Sequence, residues 1–348
     1  MVWHSVNRLP LQQKEAIVSV SIWHHCKNNT QKQLWNIIVS SLILLVGGTG
    51  CTKPLPTTPV EVFTAEEQAV IDRFRAEYGR DTQVMDETNE TLLHKASRLD
   101  GSIAVIKFLV AEGADVNAKE NYGWTPLFLA VLNENVDAAE YLVSQGADVN
   151  AKDSGGSTPL IEAVAHIENV KVINVLVSHG ANVNATDNNG RTSIMEAAAY
   201  NRNVEVIALL VSHGAEINVK DKDGNTPLHV AASKNWNIEV ANFLISQGVD
   251  VHSRNNIGAT PLHMAVMNVK NVDITNFLIS HGADVNAKNN FGAPPLFFAI
   301  TKWDIEIIKF LVSNGADANA KNNAGKTMLD YAREAEKTEI IEYLSSER

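Results

Sequence analysis

The strongest constraint on this chain is a phrase that returns at a fixed interval. Gly-Ala-Asp-Val-Asn-Ala-Lys begins at Gly113 and Gly146, and variants begin at Gly180, Gly214, Gly248, Gly282 and Gly315. The steps are 33, 34, 34, 34, 34 and 33 residues. A second phrase, Thr-Pro-Leu, moves with it at Thr125, Thr158, Thr226 and Thr260, with looser copies at Thr91, Thr192, Pro294 and Thr327. Two phrases that hold phase from Thr91 to Leu329 exclude chance. A period of this size marks a stack of identical supersecondary units.

Each phrase has a physical task. Thr before Pro suits a helix start, because the hydroxyl can accept an orphan N–H and Pro has no N–H to lose at the first helical position. Ser193 replaces Pro in one unit, which predicts a softer helix start there. A second helix follows in the same unit, where Val204, Ile207, Ala208 and Val211 stand at i, i+3, i+4 and i+7 on one face. Gly214 then supplies the left-handed residue that ends it. Another glycine, such as Gly224, sits two residues before each Thr position and permits a tight turn between units. These two positions hold 14 of the 20 glycines, so most glycine in this chain is architectural.

The unit of a turn plus two antiparallel helices resembles the ankyrin repeat, and the resemblance covers residues 86–348. It implies an all-α solenoid of eight repeats, helix-turn-helix units joined by β-hairpin-like turns. A single two-helix unit cannot bury its apolar faces, so each must stack on its neighbours. The last unit carries Met328 at the Pro position and the charged residues Arg333, Glu334, Glu336, Lys337, Glu339 and Glu342, as a wetted terminal cap should. The first unit is also atypical, with Leu92 for Pro and Asn89 for Gly. In ankyrin repeats the histidine after Thr-Pro-Leu is structural. That reading applies to His94, His229 and His263, with Phe128, Ile161, Met195 and Phe297 in its place elsewhere.

Charge and composition limit what the array can do. Residues 86–348 carry 21 Lys+Arg against 33 Asp+Glu, and an acidic body repels phosphate backbones, so no nucleic-acid partner is expected. Both cysteines, Cys26 and Cys51, precede the repeats, which leaves the array no disulfide and no cysteine metal site. His179, His213 and His281 end second helices, but neighbouring units would hold them on the order of 10 Å apart, too far to share a zinc ion. No phosphate loop, nucleophile elbow or His-Glu-x-x-His is present. The array reads as non-catalytic and without cofactor.

Upstream, residues 1–50 read as a leader. Residues 1–34 carry four basic residues and one acidic residue, and an apolar run from Ile37 to Val46 follows, the length of a signal-peptide core rather than a membrane span. Gly47, Gly48, Thr49 and Gly50 then precede Cys51. The arrangement resembles a bacterial lipoprotein signal peptide, with Cys51 as the lipidation candidate, although Gly48 stands where an aliphatic residue is usual. A plain cleaved signal or a short membrane anchor is the alternative, and the long basic head suggests a true start downstream of Met1. An artefactual leader would leave a cytoplasmic protein. Residues 51–63, with Pro54, Pro56 and Pro59, form a stiff tether. In segment 64–85, Thr64 and Glu67 form a capping box, and Val70, Phe74 and Tyr78 make one stripe of a helix over about 65–79. That helix either covers the end of the first repeat or stands free.

The resemblance directs the search for function to the turn tips and the concave face, where ankyrin arrays meet protein partners. Aromatics at positions that do not build the core are the informative ones. Tyr122, Trp124 and Phe291 lie at tips, while Tyr200, Trp236 and Trp303 lie between the two helices of their units. Each either anchors a partner or folds back onto a neighbouring helix. The expected function is a protein-binding scaffold, a monomeric array held at a membrane through the leader or a lipidated Cys51. A structural spacer at that surface is one alternative, and an enzyme or small-molecule-binding protein, which would need a deep pocket that a solenoid groove does not usually supply, is the other.

Overall fold

The structure is a computed structural model, and it describes residues 63–79, 82, 86–99, 103–234, 237–267, 272–299 and 304–347. The leader, the tether up to residue 62 with Cys51, Trp236 and Trp303 lie outside the described residues. Among the described residues the chain is helical, with an isolated Thr186–Thr192 bridge and no strand. The all-α class expected from the repeats is the class observed.

Helix α1 (Ala65–Tyr78) comes first. Its capping box is complete: the Glu67 N–H donates to Thr64 Oγ1 at 3.2 Å, and the Thr64 N–H donates to Glu67 Oε2 at 2.7 Å. The buried stripe differs from the one expected. Ile71 and Phe74 are buried with Tyr78 beside them, whereas Val70 is 40% exposed. At 100° per residue Ile71, Phe74 and Tyr78 fit within a narrower arc than a stripe drawn through Val70 and Ile71 together. Packing selects that arc: α1 lies on α3 (Ile103–Ala111), where the Arg75 guanidinium sits 4.4 Å over the Phe108 ring and Phe63 meets the same ring edge-on at 6.2 Å.

After α1 the helices come in pairs. The first members are α2 (Leu92–Arg98), α4 (Pro126–Leu132), α6 (Pro159–His166), α8 (Ser193–Tyr200), α10 (Pro227–Lys234), α12 (Pro261–Met267), α14 (Pro295–Phe298) and α16 (Met328–Glu334). The second members are α3, α5 (Val136–Ser144), α7 (Val170–Ser178), α9 (Val204–Ser212), α11 (Ile238–Ser246), α13 (Val272–Ser280), α15 (Ile305–Ser313) and α17 (Thr338–Ser346), each nine residues long. From α2 to α12 each first helix stacks on the next first helix, and from α3 to α13 second helices stack on second helices. Buried aliphatics fill the space between them. One core runs from Ile71 to Ala283 and another from Val266 to Leu344, bridged by Ile279 and Val285, which pack against both.

The unit joints show what the repeated phrase is for. Asn117 Nδ2 donates to the Gly146 carbonyl at 3.0 Å, and Asn117 Oδ1 accepts the Asp148 N–H at 2.7 Å. Asn150, Asn184 and Asn286 clamp the following unit in the same way. Since an unpaired buried carbonyl or N–H is costly, these side chains satisfy helix ends that would otherwise need water. His252 occupies the equivalent position in a later unit. Lys119 and Lys152 add bonds from their ammonium groups to the carbonyls of Lys152 and Thr186. At the start of α8 Thr192 makes no side-chain cap bond, but Ser193 adds a bond of its own. Its hydroxyl is buried and donates to the Val183 carbonyl at 2.7 Å, an anchor that Pro cannot make.

Candidate protein-binding surface

The tips form a ladder of backbone bonds. Ser154 N–H donates to the Tyr122 carbonyl at 2.8 Å, Asn188 to Gly155 at 2.9 Å, Lys222 to Asn189 at 3.0 Å, Asn256 to Asp223 at 2.9 Å and Asn290 to Ile257 at 3.0 Å. Inside each tip a carboxylate or amide oxygen holds the turn. Asp187 Oδ1 accepts the N–H groups of Asn189 and Arg191, and Asn289 Oδ1 accepts those of Phe291 and Ala293. The backbone of the tips is thus fixed, and the side chain before each tip glycine projects from a rigid frame.

That apex position carries Tyr122, Gly155, Asn189, Asp223, Ile257, Phe291 and Ala324 in order. Tyr122 is 68% exposed and Phe291 61%, and Ile257 is exposed beside Phe291. Large apolar side chains on a rigid polar ladder are the kind of residue that anchors an interface. Ile257 escapes a search confined to aromatic residues. Its position in phase with Tyr122 and Phe291 is the signal that finds it.

Trp124 is placed differently. Its ring is half-buried and stacks on Phe128, centroids 6.3 Å apart and planes 7° from parallel, while its Nε1–H reaches Asp153 Oδ2 at 3.4 Å. Its carbonyl lies 3.0 Å from His94 Nε2. Tyr200, at the end of α8, is 47% exposed. The structure therefore brings Tyr122 and Trp124 together, ring centroids 6.4 Å apart, and separates them by several units from Phe291.

Tyr200 borders a cleft of about 320 Å³ that repeat phase alone does not reveal. Ile161, Glu162, Ala165 and His166 of α6 form one wall, Glu196 and Tyr200 of α8 the other, and Asp187 and Arg191 come from the tip. Glu162 and His166 lie 3.7 Å apart at i, i+4, and Arg191 Nη1 donates to Glu196 Oε1 at 3.0 Å. Burial pushes the Glu196 carboxyl above its ordinary pKa, against the pull of Arg191. The signal in the sequence is a glutamate four places after Thr158 and after Thr192, where the four neighbouring inner units carry apolar residues.

His94, His229 and His263 are fully buried and hold units together. The N–H of Thr226 donates to His229 Nδ1, so that nitrogen is an acceptor and Nε2–H must donate, to the Ala259 carbonyl at 3.0 Å. His263 does the same toward Ala293 at 3.2 Å. His179, His213 and His281 instead place Nδ1 on the carbonyls of Val175, Leu209 and Phe277 at helix ends. Among the described residues no group of three His, Cys, Asp or Glu is arranged to hold a metal ion, and no helix is long and apolar enough to cross a membrane.

A family model described as ankyrin repeats (3 copies) matches residues 65–153, 152–221, 194–289 and 262–348. No curated protein matches the chain.

Proposed function

The chain belongs to the ankyrin-repeat family, whose members are generally protein–protein interaction scaffolds, and on that premise we propose that this one is a non-catalytic scaffold that binds a partner protein through its turn tips and the first-helix face beside them. The observation that carries this reading is the exposure of Tyr122, Ile257 and Phe291 at one apex position, on tips whose backbone is hydrogen-bonded within the turn and to the next tip. Rigid presentation lowers the entropy lost on binding, and large exposed apolar side chains gain most from being covered. An array of eight repeats acting as a monomer is sufficient for this, since each unit contacts only its neighbours.

The place of action in this proposal is a membrane surface. The basic head, the apolar run from Ile37 to Val46 and the small residues before Cys51 support export and anchoring, and the proline-bearing segment after Cys51 suits a tether. Mass spectrometry of the native N-terminus tests this part: a lipid on Cys51 supports it, and an intact, unmodified leader refutes it. A pull-down with the full chain, run beside a Tyr122→Ala/Phe291→Ala double variant, tests the scaffold. A partner retained by the parent and lost by the variant supports it. Capture of no specific partner favours a structural spacer instead.

A further inference from the structure

The cleft beside Tyr200 deepens the scaffold reading and rests on it. First helices stack in register, so in the six inner units the side chains four places after the Thr position form one row: Leu129, Glu162, Glu196, Val230, Met264 and Phe298. Two adjacent glutamates interrupt an otherwise apolar row. Glu196 keeps only 12% of its side-chain surface in water, and a carboxylate loses hydration at that position. An apolar residue would serve the fold better, as it does in the four other inner units.

The glutamates face the cleft. Its formal charge is three carboxylates, from Glu162, Asp187 and Glu196, against the single guanidinium of Arg191. Arg191 is already bonded to Glu196, and the Asp187 carboxylate is occupied with the tip N–H groups. Among the described residues Glu162 pairs with His166, which carries charge only when protonated. The half-exposed Tyr200 ring supplies a wall of the kind that cations stack on. An anion entering here would meet three carboxylates and a cation already spent. A cation would meet a carboxylate whose one partner among the described residues is His166, and an aromatic face.

We propose that this cleft seats one arginine or lysine side chain of the partner protein, its charged head at Glu162 and Glu196 and its stem along Tyr200. The test is a random peptide library displayed on phage and panned on the full chain, followed by affinity measurement of selected peptides. The expected result is a basic residue at one fixed position. Its replacement by Gln, or the substitution Glu162→Gln, weakens binding about tenfold or more. Tyr200→Ala weakens it as well without changing the charge, and Glu162→Lys abolishes it. Glu162 is half-buried at the edge of the cleft and Gln keeps its size and shape, so thermal unfolding of Glu162→Gln should stay close to the parent and exclude a folding artefact. Selected peptides that share an acidic residue, or that bind Glu162→Gln and Tyr200→Ala as well as the parent, overturn the assignment. If those peptides lose affinity with Tyr122→Ala or Phe291→Ala, only the cleft proposal falls and the scaffold stands. If panning yields no binder at all, both fall.

Discussion

Asn188 sits against the bare α-carbon of Gly156: a Cβ on that glycine would lie 2.5 Å from Asn188 Oδ1 and 2.9 Å from its backbone nitrogen. Gly156 also has φ = +79°, a conformation that L side chains rarely adopt. Two constraints therefore fall on one residue, the local turn and the approach of the next tip, whose Asn188 donates to the Gly155 and Ser154 carbonyls at 2.9 and 3.2 Å. Gly156→Ala should destabilise the array by roughly 2–4 kcal/mol, the backbone cost plus displacement of the neighbouring tip. Gly214→Ala, at φ = +87° with open space around it, should cost only the backbone part, about 1 kcal/mol. Gly155→Ala, which would meet the end of the Asp153 side chain at 3.3 Å, should be nearly neutral. Urea unfolding of the three variants gives the order directly, and equal costs at Gly156 and Gly214 would remove the tip-to-tip contact from the explanation.

The threonines that open the first helices are not equivalent. Thr226 Oγ1 lies 2.8 Å from His229 Nδ1, whereas the buried Thr192 Oγ1 has no hydrogen-bond partner and makes no cap bond, and Met195 stands where the histidine would offer one. A buried hydroxyl without a partner loses its hydration for nothing, and an isosteric methyl does not. Thr192→Val should therefore raise stability by about 1 kcal/mol, while Thr226→Val should lower it by a similar amount. Thermal melts of the two variants check the signs. A stability loss at Thr192 as large as at Thr226 would mean that its hydroxyl is satisfied after all.

How much of this is legible in the sequence follows from the length over which each signal acts. The period, the Thr-Pro helix starts and the Thr64–Glu67 capping box are local, and the structure has them where the residues stand. The stripe of α1 is ambiguous in sequence because Val70 and Ile71 are both apolar, and only packing against the rest of the array, α3 included, decides which one is covered. At Ser193 the bond to Val183 lies ten residues back and is encoded by no local propensity. For the candidate surface, phase places Tyr122 and Phe291 at tips but leaves open whether they project or fold back, and the structure has them exposed. The cleft is not, since it needs Glu162 and Glu196 from successive units and a tip between them. The Asn clamps are visible as a recurring letter of the phrase, but their partners lie about one unit away in sequence.

Acid should loosen the array through its buried histidines. Burial holds His263 down to about 4 from its ordinary 6.5, opposed by the bond to the Ala293 carbonyl and reinforced by Arg254 and His229. Between those values the unfolded chain binds a proton that the folded chain refuses, so stability is complete above about pH 6.5 and declines as pH falls toward 4. The contribution of this one residue is on the order of 3 kcal/mol. His94 and His229 are lowered in the same direction by burial. His263→Met, a change that copies Met195 at the matching position of its own unit, loses the bonds to Thr260 and Ala293 and should be less stable than the parent at pH 7.5. The gap should narrow steadily by pH 4.5 in urea unfolding. A gap that stays constant across that range would show that His263 does not titrate in the folding equilibrium.

The tip aromatics separate binding from stability. Tyr122 and Phe291 project into water, so truncation to Ala removes little buried surface and should change stability by less than about 0.5 kcal/mol. If they anchor a partner, the same changes should weaken its binding by about 2 kcal/mol or more each, roughly thirtyfold in Kd. Trp124 should behave otherwise. Its ring stacks on Phe128 and bonds Asp153, so Trp124→Ala should cost about 2 kcal/mol or more of stability whatever it does to binding. Trp124→Phe keeps the ring stack, loses the bond to Asp153 and should restore most of that stability. Calorimetric binding of an identified partner, measured beside urea unfolding for all four variants, separates the two effects. Affinity unchanged in both Tyr122→Ala and Phe291→Ala would move the interface off the tips and onto the first-helix face, where Glu162, Glu196 and Tyr200 would have to account for it.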